Sequence, residues 1–423
     1  MLVDVAYRFR IYPNEVQEEI LNKTFGCCRF LWNRMLAEHN NVYERLKDNK
    51  NALYTYKYKT EKQYKQEFGF LKVPDSKALQ NVNRNLFQAY QNFFDGVAGK
   101  RPRVGYPRFK SKHGKQSYIT NNINDNIKID FKRRTLKLPK IDAWFSYRDN
   151  RVFDEKIRKL TVSKTKSGKY FASISFKREV SIQEKTTIQE SKIAAFDMSC
   201  KEFMVDTSNN RFINPRFYRK QENKLKKLHR DLSRKQKGSS NQNKARVKLA
   251  ELYDKIGNQR NDWQHKLSIM MARTYDAILL EDLNIDGMKQ FNSAIAKTVT
   301  LDFSWGAFTR MLDYKMQRHG KHLVKVGRFY PSSKLCSNCG YKHDALKLSD
   351  REWTCPGCGM HHERDENASK TIWREGARIL QEERSIKIIK SSTVGTTGSH
   401  ASGDRVRPVT TRAMVDEGRI HAL

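Results

Sequence analysis

The amino-acid sequence predicts a multi-domain protein of mixed α+β and α/β class. A helical unit is inserted into a small β-barrel, and an α/β domain with an inserted cysteine cluster and a disordered C-terminal tail follow. The chain has 423 residues, which at roughly 150 residues per domain corresponds to about three domains. A strand pattern at residues 3–11 is separated by helical periodicity from later strand patterns. Two short apolar runs that end in acidic residues then precede four regularly spaced cysteines.

The charge balance indicates a polyanionic partner. Lys and Arg number 82 and Asp and Glu number 46, so the net charge is +36. This excess is far beyond what solubility needs, argues against an ordinary metabolic enzyme and favours nucleic acid, held through phosphate contacts. Apolar residues make up 38% of the chain, which is enough to build cores. The sequence contains no run of about 18 apolar residues and no signal-peptide pattern, so we predict no membrane partner and a cytoplasmic location.

The N-terminal part is predicted to be a barrel with inserted helices. Residues 3–11 alternate between apolar and polar side chains, as a half-buried strand does. Asn14 is a predicted helix cap, and helical patterns cover residues 15–23, 30–44 and 78–94. Strand patterns return at 136–141, 157–164 and 170–177. We therefore predict that residues 1–12 form the first strand of the barrel, 13–114 a helical nucleic-acid-binding domain and 115–182 the rest of the barrel.

The C-terminal part is predicted to be an α/β domain. Strand patterns occur at 193–197, 202–206, 277–281 and 323–326, and a helical pattern runs from about 365 to 382. Residues 217–272 are charged and helix-periodic, with a break at 238–241, and predict a helical hairpin. The predicted segments are 183–334 and 361–384 for the domain, 335–360 for an inserted cysteine module and 385–423 for a disordered tail.

Two basic segments are candidates for phosphate contact. The predicted hairpin carries cations of nearly uniform sign, among them Lys227, Arg230 and Arg234, and helices of like charge favour a partner anion. Residues 99–112 combine Tyr106 and Phe109 with several cations, which suits base stacking plus phosphate contact. The alternatives are a solvated helix face for the hairpin and a linker with two packed aromatics for residues 99–112.

Four cysteines have the spacing of a metal site. Cys336, Cys339, Cys355 and Cys358 form the pattern C-x2-C-x15-C-x2-C. Each C-x2-C turn places two thiolates together, and two such turns complete a tetrahedron about Zn²⁺. The alternative is a pair of disulfides, which a reducing compartment disfavours. We predict a structural zinc ion, because four thiolates leave no open coordination position.

Three carboxylates are candidates for hydrolytic chemistry. Asp197 and Glu281 each end an apolar strand pattern, and Asp365 begins a helical one. Hydrolysis of phosphodiesters by two metal ions needs carboxylates from separate elements that converge on one place. The pattern alone leaves other roles open. Asp365 could cap its helix, Glu281 could pair with a basic neighbour, and Asp282 could be the functional acid instead.

Several motifs resemble those of the TnpB family, the transposon-encoded, RNA-guided DNA nucleases related to type V CRISPR effectors. The motifs lie along nearly the whole chain: Tyr7-Arg8-Phe9-Arg10-Ile11-Tyr12-Pro13, Gly105-Tyr106-Pro107-Arg108-Phe109-Lys110, 258–268, Leu280-Glu281-Asp282-Leu283-Asn284, 331–340, 351–355 and Arg364-Asp365-Glu366-Asn367-Ala368. The family's first acidic motif usually reads Asp-x-Gly, whereas this chain has Asp197-Met198-Ser199. Whether Ser199 impairs catalysis is left open by the sequence.

The resemblance implies a fold and a set of cofactors. The α/β domain would be a RuvC-like nuclease domain of the RNase H fold, with a four-cysteine zinc ribbon inserted before its last helix. The helical unit would be a REC-like domain inside a WED-like barrel. Asp197, Glu281 and Asp365 would be the catalytic acids and would bind two Mg²⁺ ions, beside the structural Zn²⁺ of the ribbon.

The resemblance also implies partners. One protein would bind one omega-type guide RNA from the transposon end, read a short adjacent motif in double-stranded DNA, and leave the remaining specificity to base pairing. The location would be the cytoplasm of a prokaryote, with association to the nucleoid. Candidate contacts to nucleic acid are Lys77, Gln80, Asn83, Arg84, Arg103, Tyr106, Arg108, Phe109, Lys227, Arg230, Arg234 and Arg351. For the four residues from 77 to 84, a solvated polar face is an equal alternative.

Three functions follow as hypotheses. The first is an RNA-guided DNA endonuclease that cleaves by Mg²⁺-dependent phosphodiester hydrolysis. The second is a nuclease-silent, repressor-like RNA-guided DNA-binding protein, to which only Ser199 points. The third is a transposase, for which the sequence offers no recognisable DNA-joining module.

Overall fold

The computed structural model describes residues 2–199, 202–291, 298–347 and 349–390. The chain forms two compact units: Met1–Ser181 with Lys235–Glu251, and Ile182–Arg234 with Leu252–Leu423. The described helices include none that is both long and apolar enough to cross a bilayer.

The first unit is built on a seven-stranded antiparallel sheet. Its strands are β1 (Leu2–Tyr12), β2 (Gln116–Asn121), β3 (Lys128–Asp130), β4 (Thr135–Lys137), β5 (Phe145–Tyr147), β6 (Lys159–Lys164) and β7 (Tyr170–Glu179), in the order β2-β6-β7-β1-β5-β4-β3. Between β1 and β2 the chain forms α1 (Glu15–Leu46), α2 (Lys50–Thr55), α3 (Glu61–Glu67), a 3₁₀ turn (Gly69–Lys72) and α4 (Ser76–Val97). Because β1 pairs with both β7 and β5, these helices are an insertion in the sheet's chain path.

The strands of the predicted small β-barrel form one seven-stranded sheet. Among the residues that the structure describes, β2 and β3 lie at opposite ends of the strand order and do not pair, so the sheet is open. The edge strand β2 is covered by α4 instead. The Asn81 amide donates to the Ile119 carbonyl at 3.1 Å and to Asn121 Oδ1 at 3.0 Å. A helix that covers a sheet edge reduces the tendency of that edge to pair with a further strand.

The first helix is longer than the sequence predicts. Asn14 caps it as predicted, in a capping box with Gln17. The helix then continues for 32 residues, where two helices at 15–23 and 30–44 were expected. Gly26 in its middle does not end it, because apolar residues before and after, including Leu21, Phe25 and Leu31, are buried along one continuous face.

The second unit contains a mixed five-stranded sheet. Its strands and helices in chain order are β8 (Thr187–Gln189), β9 (Ile193–Asp197), β10 (Met204–Asp206), β11 (Arg211–Phe212), α5 (Phe217–Ser233), α6 (Ser240–Thr274, of which the part from Leu252 belongs to this unit), β12 (Ala277–Glu281), α7 (Ile285–Phe291), α8 (Trp305–Arg318), β13 (His322–Val326), β14 (Glu352–Thr354), β15 (His361–Glu363), α9 (Arg364–Arg378) and β16 (Lys387–Ile389). A 3₁₀ turn (Glu190–Lys192) and two π-helical turns (Thr298–Phe303 and Ile379–Glu383) complete it. The sheet order is β11-β10-β9-β12-β13.

Three adjacent strands, β9, β12 and β13, are parallel and are buried on both faces. β12 pairs in parallel with β9 and with β13. Phe196 and Leu280 point into one apolar cluster with Trp263 and Phe308, whereas the alternate strand residues face a second cluster. That second cluster includes Ile372 of α9. Burial of both faces explains why these strands read as continuous apolar runs in the sequence.

The prediction of a disordered tail from residue 385 is wrong for its first residues. β16 pairs in parallel with β8, in the register Lys387↔Thr187. Ile386 is buried and Ile388 packs beside it against the cluster that contains Ile188. This apolar burial orders a segment that is too short to show a periodic pattern. Residues 391–423, the remainder of the predicted tail, lie outside the described residues.

Candidate active site

The sheet of the second unit brings two acidic residues to one edge. Phe196 and Leu280 are paired neighbours in the parallel strands β9 and β12, so Asp197 and Glu281, the next residues, end these strands side by side. Asp365 lies in the first turn of α9, which packs on β9, β10 and β12. The carboxyl edge of parallel strands is where α/β sheets place their functional groups.

The three carboxylates are coupled electrostatically. Burial raises the pKa of Asp197 well above its usual range, and the charges of Glu281 and Asp365 raise it further. Burial also raises the pKa of Glu281. Like charges that are held together away from water resist ionisation, and functional sites commonly accept this cost. The geometry therefore concentrates negative charge that a cation or a cationic side chain must balance.

Neighbouring side chains hold two of the carboxylates. The Ser332 hydroxyl donates to the Glu281 carboxylate, which opposes the rise of its pKa. Asp365 Oδ1 lies 3.4 Å from Arg351 Nη1 and 3.3 Å from Arg364 Nη2. The sequence analysis assigns no role to Ser332 or Arg364. The one feature of the sequence that could have identified them is that they lie within the motifs around Cys336 and Asp365.

The sequence left open that Asp282 is the functional acid or that Asp365 caps its helix. The structure gives these two residues other contacts. Asp282 points away to an ion pair with Arg328, at 3.0 Å, in which both side chains are nearly half exposed. The cap of α9 is Glu363, whose carboxylate accepts from the Glu366 backbone N–H at 3.0 Å, so Asp365 is not the capping residue.

The four cysteines are grouped as the ligands of a metal site are. Within the described ranges, they form the only group of three or more His, Cys, Asp or Glu residues whose ligand atoms all lie within 4.8 Å of one another. Cys336 Sγ and Cys358 Sγ are 3.7 Å apart, and Cys339 Sγ and Cys355 Sγ are 3.6 Å apart. The three carboxylates do not meet the same spacing, as expected for like charges with their own partners.

Two similar backbone turns assemble the cysteine cluster. The N–H of Gly340 donates to the Cys336 carbonyl, and the N–H of Gly359 donates to the Cys355 carbonyl, each at 2.9 Å. Both glycines have a positive φ, of 78° and 70°, which an L side chain rarely adopts. Hydrogen bonding from the Met360 backbone N–H lowers the pKa of Cys358 to about 6. The four cysteines can therefore bind one metal ion.

The candidate nucleic-acid contacts on α4 already have protein partners. Lys77 Nζ donates to Gln80 Oε1 at 2.9 Å, and the Asn83 amide donates to Glu61 at 3.0 Å. Arg84 is exposed. These contacts fit the solvated-face alternative at least as well as base recognition.

The segment at residues 99–112 lies on α1 and α4. The Trp32 indole donates to the Arg108 carbonyl at 3.0 Å, and Tyr106 packs edge-on against Tyr90 while its hydroxyl donates to Asn40. Tyr106 is therefore partly committed to packing. Phe109 keeps 58% of its surface exposed. Arg103 and Arg108 also remain exposed.

The predicted basic hairpin forms from α5 and the first part of α6. Gly238, with φ of 84°, lies between the two helices at the predicted break. Lys227, Arg230 and Arg234 are all exposed and form no ion pair with the part of the chain that the structure describes. The remaining candidate, Arg351, is the one that lies beside a candidate catalytic carboxylate.

Three family models match the chain. One described as "Probable transposase" (OrfB_IS605) matches residues 173–292, a helix-turn-helix domain model of the same group matches 1–48, and a Cas12f1-like TNB domain model matches 305–372. In the structure, residues 1–48 hold β1 and the single helix α1.

Curated relatives span nearly the whole chain. A protein of Streptomyces pristinaespiralis named as an RNA-guided DNA endonuclease is 31% identical over 88% of this chain and 89% of its own length. Escherichia coli (strain K12) InsQ, named in the same way, is 28% identical over 89% of this chain and 93% of its own length. A solved Cas12f1–sgRNA–target DNA complex covers 88% of this chain and 99% of the matched chain, with 13% identity and a TM-score of 0.43.

These matches define a class of transposon-encoded proteins of the OrfB group. Within that class, the chain belongs to the TnpB family.

Proposed function

We propose that this chain is an RNA-guided DNA endonuclease whose catalytic acids are Asp197, Glu281 and Asp365. The observation that supports it most directly is the acid cluster at the carboxyl edge of β9 and β12, completed by the first turn of α9. Hydrolysis of a phosphodiester needs such converging carboxylates. The family membership supplies the substrate class, because full-length relatives are named as RNA-guided DNA endonucleases.

In this proposal Asp197, Glu281 and Asp365 would hold two Mg²⁺ ions, which when bound would supply an activated water and stabilisation of the leaving oxygen. The donor set suits Mg²⁺, because carboxylate oxygens are the hard ligands that this ion prefers. Ser332 orients the Glu281 carboxylate, and Arg351 and Arg364 balance Asp365. These three residues would keep the cluster in place before DNA arrives.

The cysteine cluster is proposed to hold a structural Zn²⁺ ion. A tetrahedron with Zn–S bonds of about 2.3 Å has S···S edges of about 3.8 Å. The 3.6 Å and 3.7 Å sulfur separations are close to this value. Arg351 lies in the segment between the two cysteine pairs and contacts Asp365 at 3.4 Å, so the ribbon would brace the acid cluster.

The domain assignments are proposals as well. The five-stranded sheet with its helices would be the RuvC-like domain, in residues 183–334 and 361–384. The helices inserted between β1 and β2 would be the REC-like domain and the seven-stranded sheet the WED-like domain. Guide RNA and a double-stranded target with an adjacent motif would be bound mainly by cationic surfaces such as Lys227, Arg230 and Arg234.

The test is cleavage by a complex of protein and copurified guide RNA. The protein is expressed with its native flanking DNA, and plasmids carry a guide-matched target beside randomised flanks. We expect Mg²⁺-dependent cleavage with one flank enriched, and its loss in Asp197→Ala. Asp262→Asn is the matched control. That carboxylate is exposed and pairs with Lys266 on its own helix, so the variant should cleave like wild type.

The second candidate function is nuclease-silent RNA-guided DNA binding. Ser199 stands where the family usually has Gly, but it is buried and is not one of the described non-glycine residues with a positive φ. The backbone therefore does not require glycine there. Target retention without cleavage by either wild type or Asp197→Ala would favour this function. Guide-independent strand transfer would favour a transposase.

A further inference from the structure

One aromatic side chain in the loop that follows β13 is almost fully exposed. Phe329 has 94% of its surface accessible, the highest exposure among the large apolar residues of the described chain. It lies three residues beyond Val326, which pairs with Glu281 in the register of β13 and β12. The loop that contains Phe329 therefore leaves the sheet at the edge where Asp197 and Glu281 end their strands.

The loop around Phe329 is anchored on both sides. Before it, Arg328 pairs with Asp282 at 3.0 Å. After it, Tyr330 packs against the apolar cluster of the sheet, and the Ser332 hydroxyl donates to Glu281. Thr371 of α9 donates to the Ser332 carbonyl at 2.8 Å. The neighbours of Phe329 are thus fixed to the candidate site while its ring projects into solvent.

The backbone around Phe329 forms a closed turn. The N–H of Tyr330 donates to the Gly327 carbonyl at 2.9 Å, which closes a four-residue turn with Phe329 at its third position. A rigid turn has already lost the backbone entropy that binding would otherwise cost. A single exposed apolar ring is ordinary on a protein surface, so it is the position of Phe329 at the carboxyl edge of the sheet that points to a ligand.

We propose that Phe329 stacks on an unpaired base of the DNA strand that enters the acid cluster, and so sets the position of the scissile phosphate. The proposal rests on the proposed nuclease function. An aromatic ring accepts any base, because every base has a flat π face. Phe329 is a positioning residue, since it touches the strand rather than the reacting phosphate.

The first measurement is single-turnover cleavage by the full chain loaded with its guide RNA. We expect Phe329→Ala to slow cleavage about tenfold, the loss typical of one base that loses its stacking partner. Phe329→Trp and Phe329→Tyr should cleave near the wild-type rate. All three should bind target DNA and melt like wild type, because the ring is exposed. Ile213→Ala, which removes an apolar side chain that is 68% exposed just after β11 in the same unit, is the control and should leave the rate unchanged.

The second measurement does not depend on cleavage. In the Asp197→Ala background, target DNA with 5-iodouracil at successive positions is irradiated in the guide complex and the cross-linked peptide is mapped. We expect one DNA position to cross-link at Phe329, and Phe329→Ala to abolish it. Wild-type cleavage by Phe329→Ala, cross-linking at Phe329 to guide RNA alone, or a lowered melting temperature that Phe329→Tyr does not restore would each overturn the proposal. If wild type fails to cleave, the nuclease function fails, whereas the cross-link still decides whether Phe329 contacts DNA.

Discussion

The Asp197 carboxyl group is opposed in its ionisation by both burial and neighbouring acids. Its pKa is raised by burial first and by Glu281 and Asp365 next. A carboxyl group whose pKa is higher in the folded than in the unfolded chain binds its proton more tightly in the folded state. Its contribution to stability is therefore present at low pH and is lost as the pH rises through the folded-state pKa. The fold accepts that loss at the position where the proposed chemistry needs a carboxylate.

This conflict predicts that the metal-free protein loses stability as the pH rises above about 4, the ordinary carboxyl range. Asp197→Asn removes the repulsion and should raise the melting temperature in EDTA by about 2–4 °C, which corresponds to about 1 kcal/mol. The rise should be larger at pH 8 than at pH 4. Thermal denaturation of both proteins across this range is the measurement. An equal shift at both pH values would contradict the electrostatic cause, and Asp262→Asn serves as the exposed control.

At the scale of single residues, the sequence identifies the candidate acids but not the side chains that contact them. An acid that ends an apolar strand is visible in the pattern, which identified Asp197 and Glu281 as candidates, while the resemblance supplied their role. Ser332 and Arg364 were missed, because their contacts depend on how separate elements bring side chains together. The same holds for Asn83, whose partner Glu61 lies on a separate helix.

At the scale of elements, α9 lies closely against the central sheet. A Cβ atom added at Gly376 would come within 2.7 to 3.0 Å of Leu279 side-chain atoms in β12. Glycine is therefore required there by close approach rather than by backbone conformation. The contact matters for the site, since α9 also contains Asp365 in its first turn.

Two glycine substitutions in helices should have opposite effects. Gly376→Ala should lower the free energy of unfolding by about 1–3 kcal/mol, because the helix must shift away from the sheet. Gly257→Ala in α6, where nothing lies within 4 Å of the added Cβ, should raise it by about 0.5–1 kcal/mol through helix propensity. Urea denaturation of both variants tests this pair. A stabilised Gly376→Ala protein would show that α9 is not packed as described.

The cysteine ribbon should depend on its metal. Cys336→Ser should lose bound zinc, part of the folding free energy and cleavage together, because structural zinc contributes its binding free energy to the fold. Cys27→Ser is the matched control: Cys27 is also buried, but it lies in the core of the first unit away from the ribbon. Metal analysis should give one zinc ion per chain for this control. A stable, active and zinc-free Cys336→Ser protein would contradict the structural role.

For the whole molecule, the net charge of +36 makes binding to nucleic acid sensitive to salt. Replacing Lys227, Arg230 and Arg234 by Ser should weaken guide RNA binding and reduce the slope of log affinity against log salt by about 2. The control replaces three cations that already pair with an acid within one helical turn: Lys23, Lys47 and Lys266. Both variants lose the same charge. Equal slopes for the two would mean that the hairpin does not contact phosphates specifically.

The position of β16 gives a prediction for truncation. A chain that ends at residue 384 loses β16 and the buried Ile386 and should melt at a lower temperature, whereas a chain that ends at 390 keeps both. The two truncated proteins are compared by thermal denaturation and by plasmid cleavage. Similar melting temperatures would contradict a stabilising role for the β8–β16 pair. The sequence could not predict this pair, because three residues give no period and their partner is about two hundred residues away.

The same pair has a consequence for synthesis on the ribosome. Domains generally fold as the chain emerges. Here β8 cannot pair until β16 has been synthesised, and the acid cluster of Asp197 and Glu281 is incomplete until Asp365 has been synthesised. Any chain released before residue 365 therefore lacks both the closing strand and the third carboxylate. A cell that makes such short copies would hold fragments with cationic surfaces but without an assembled acid cluster, so translation interrupted there would not release an active cutter of DNA.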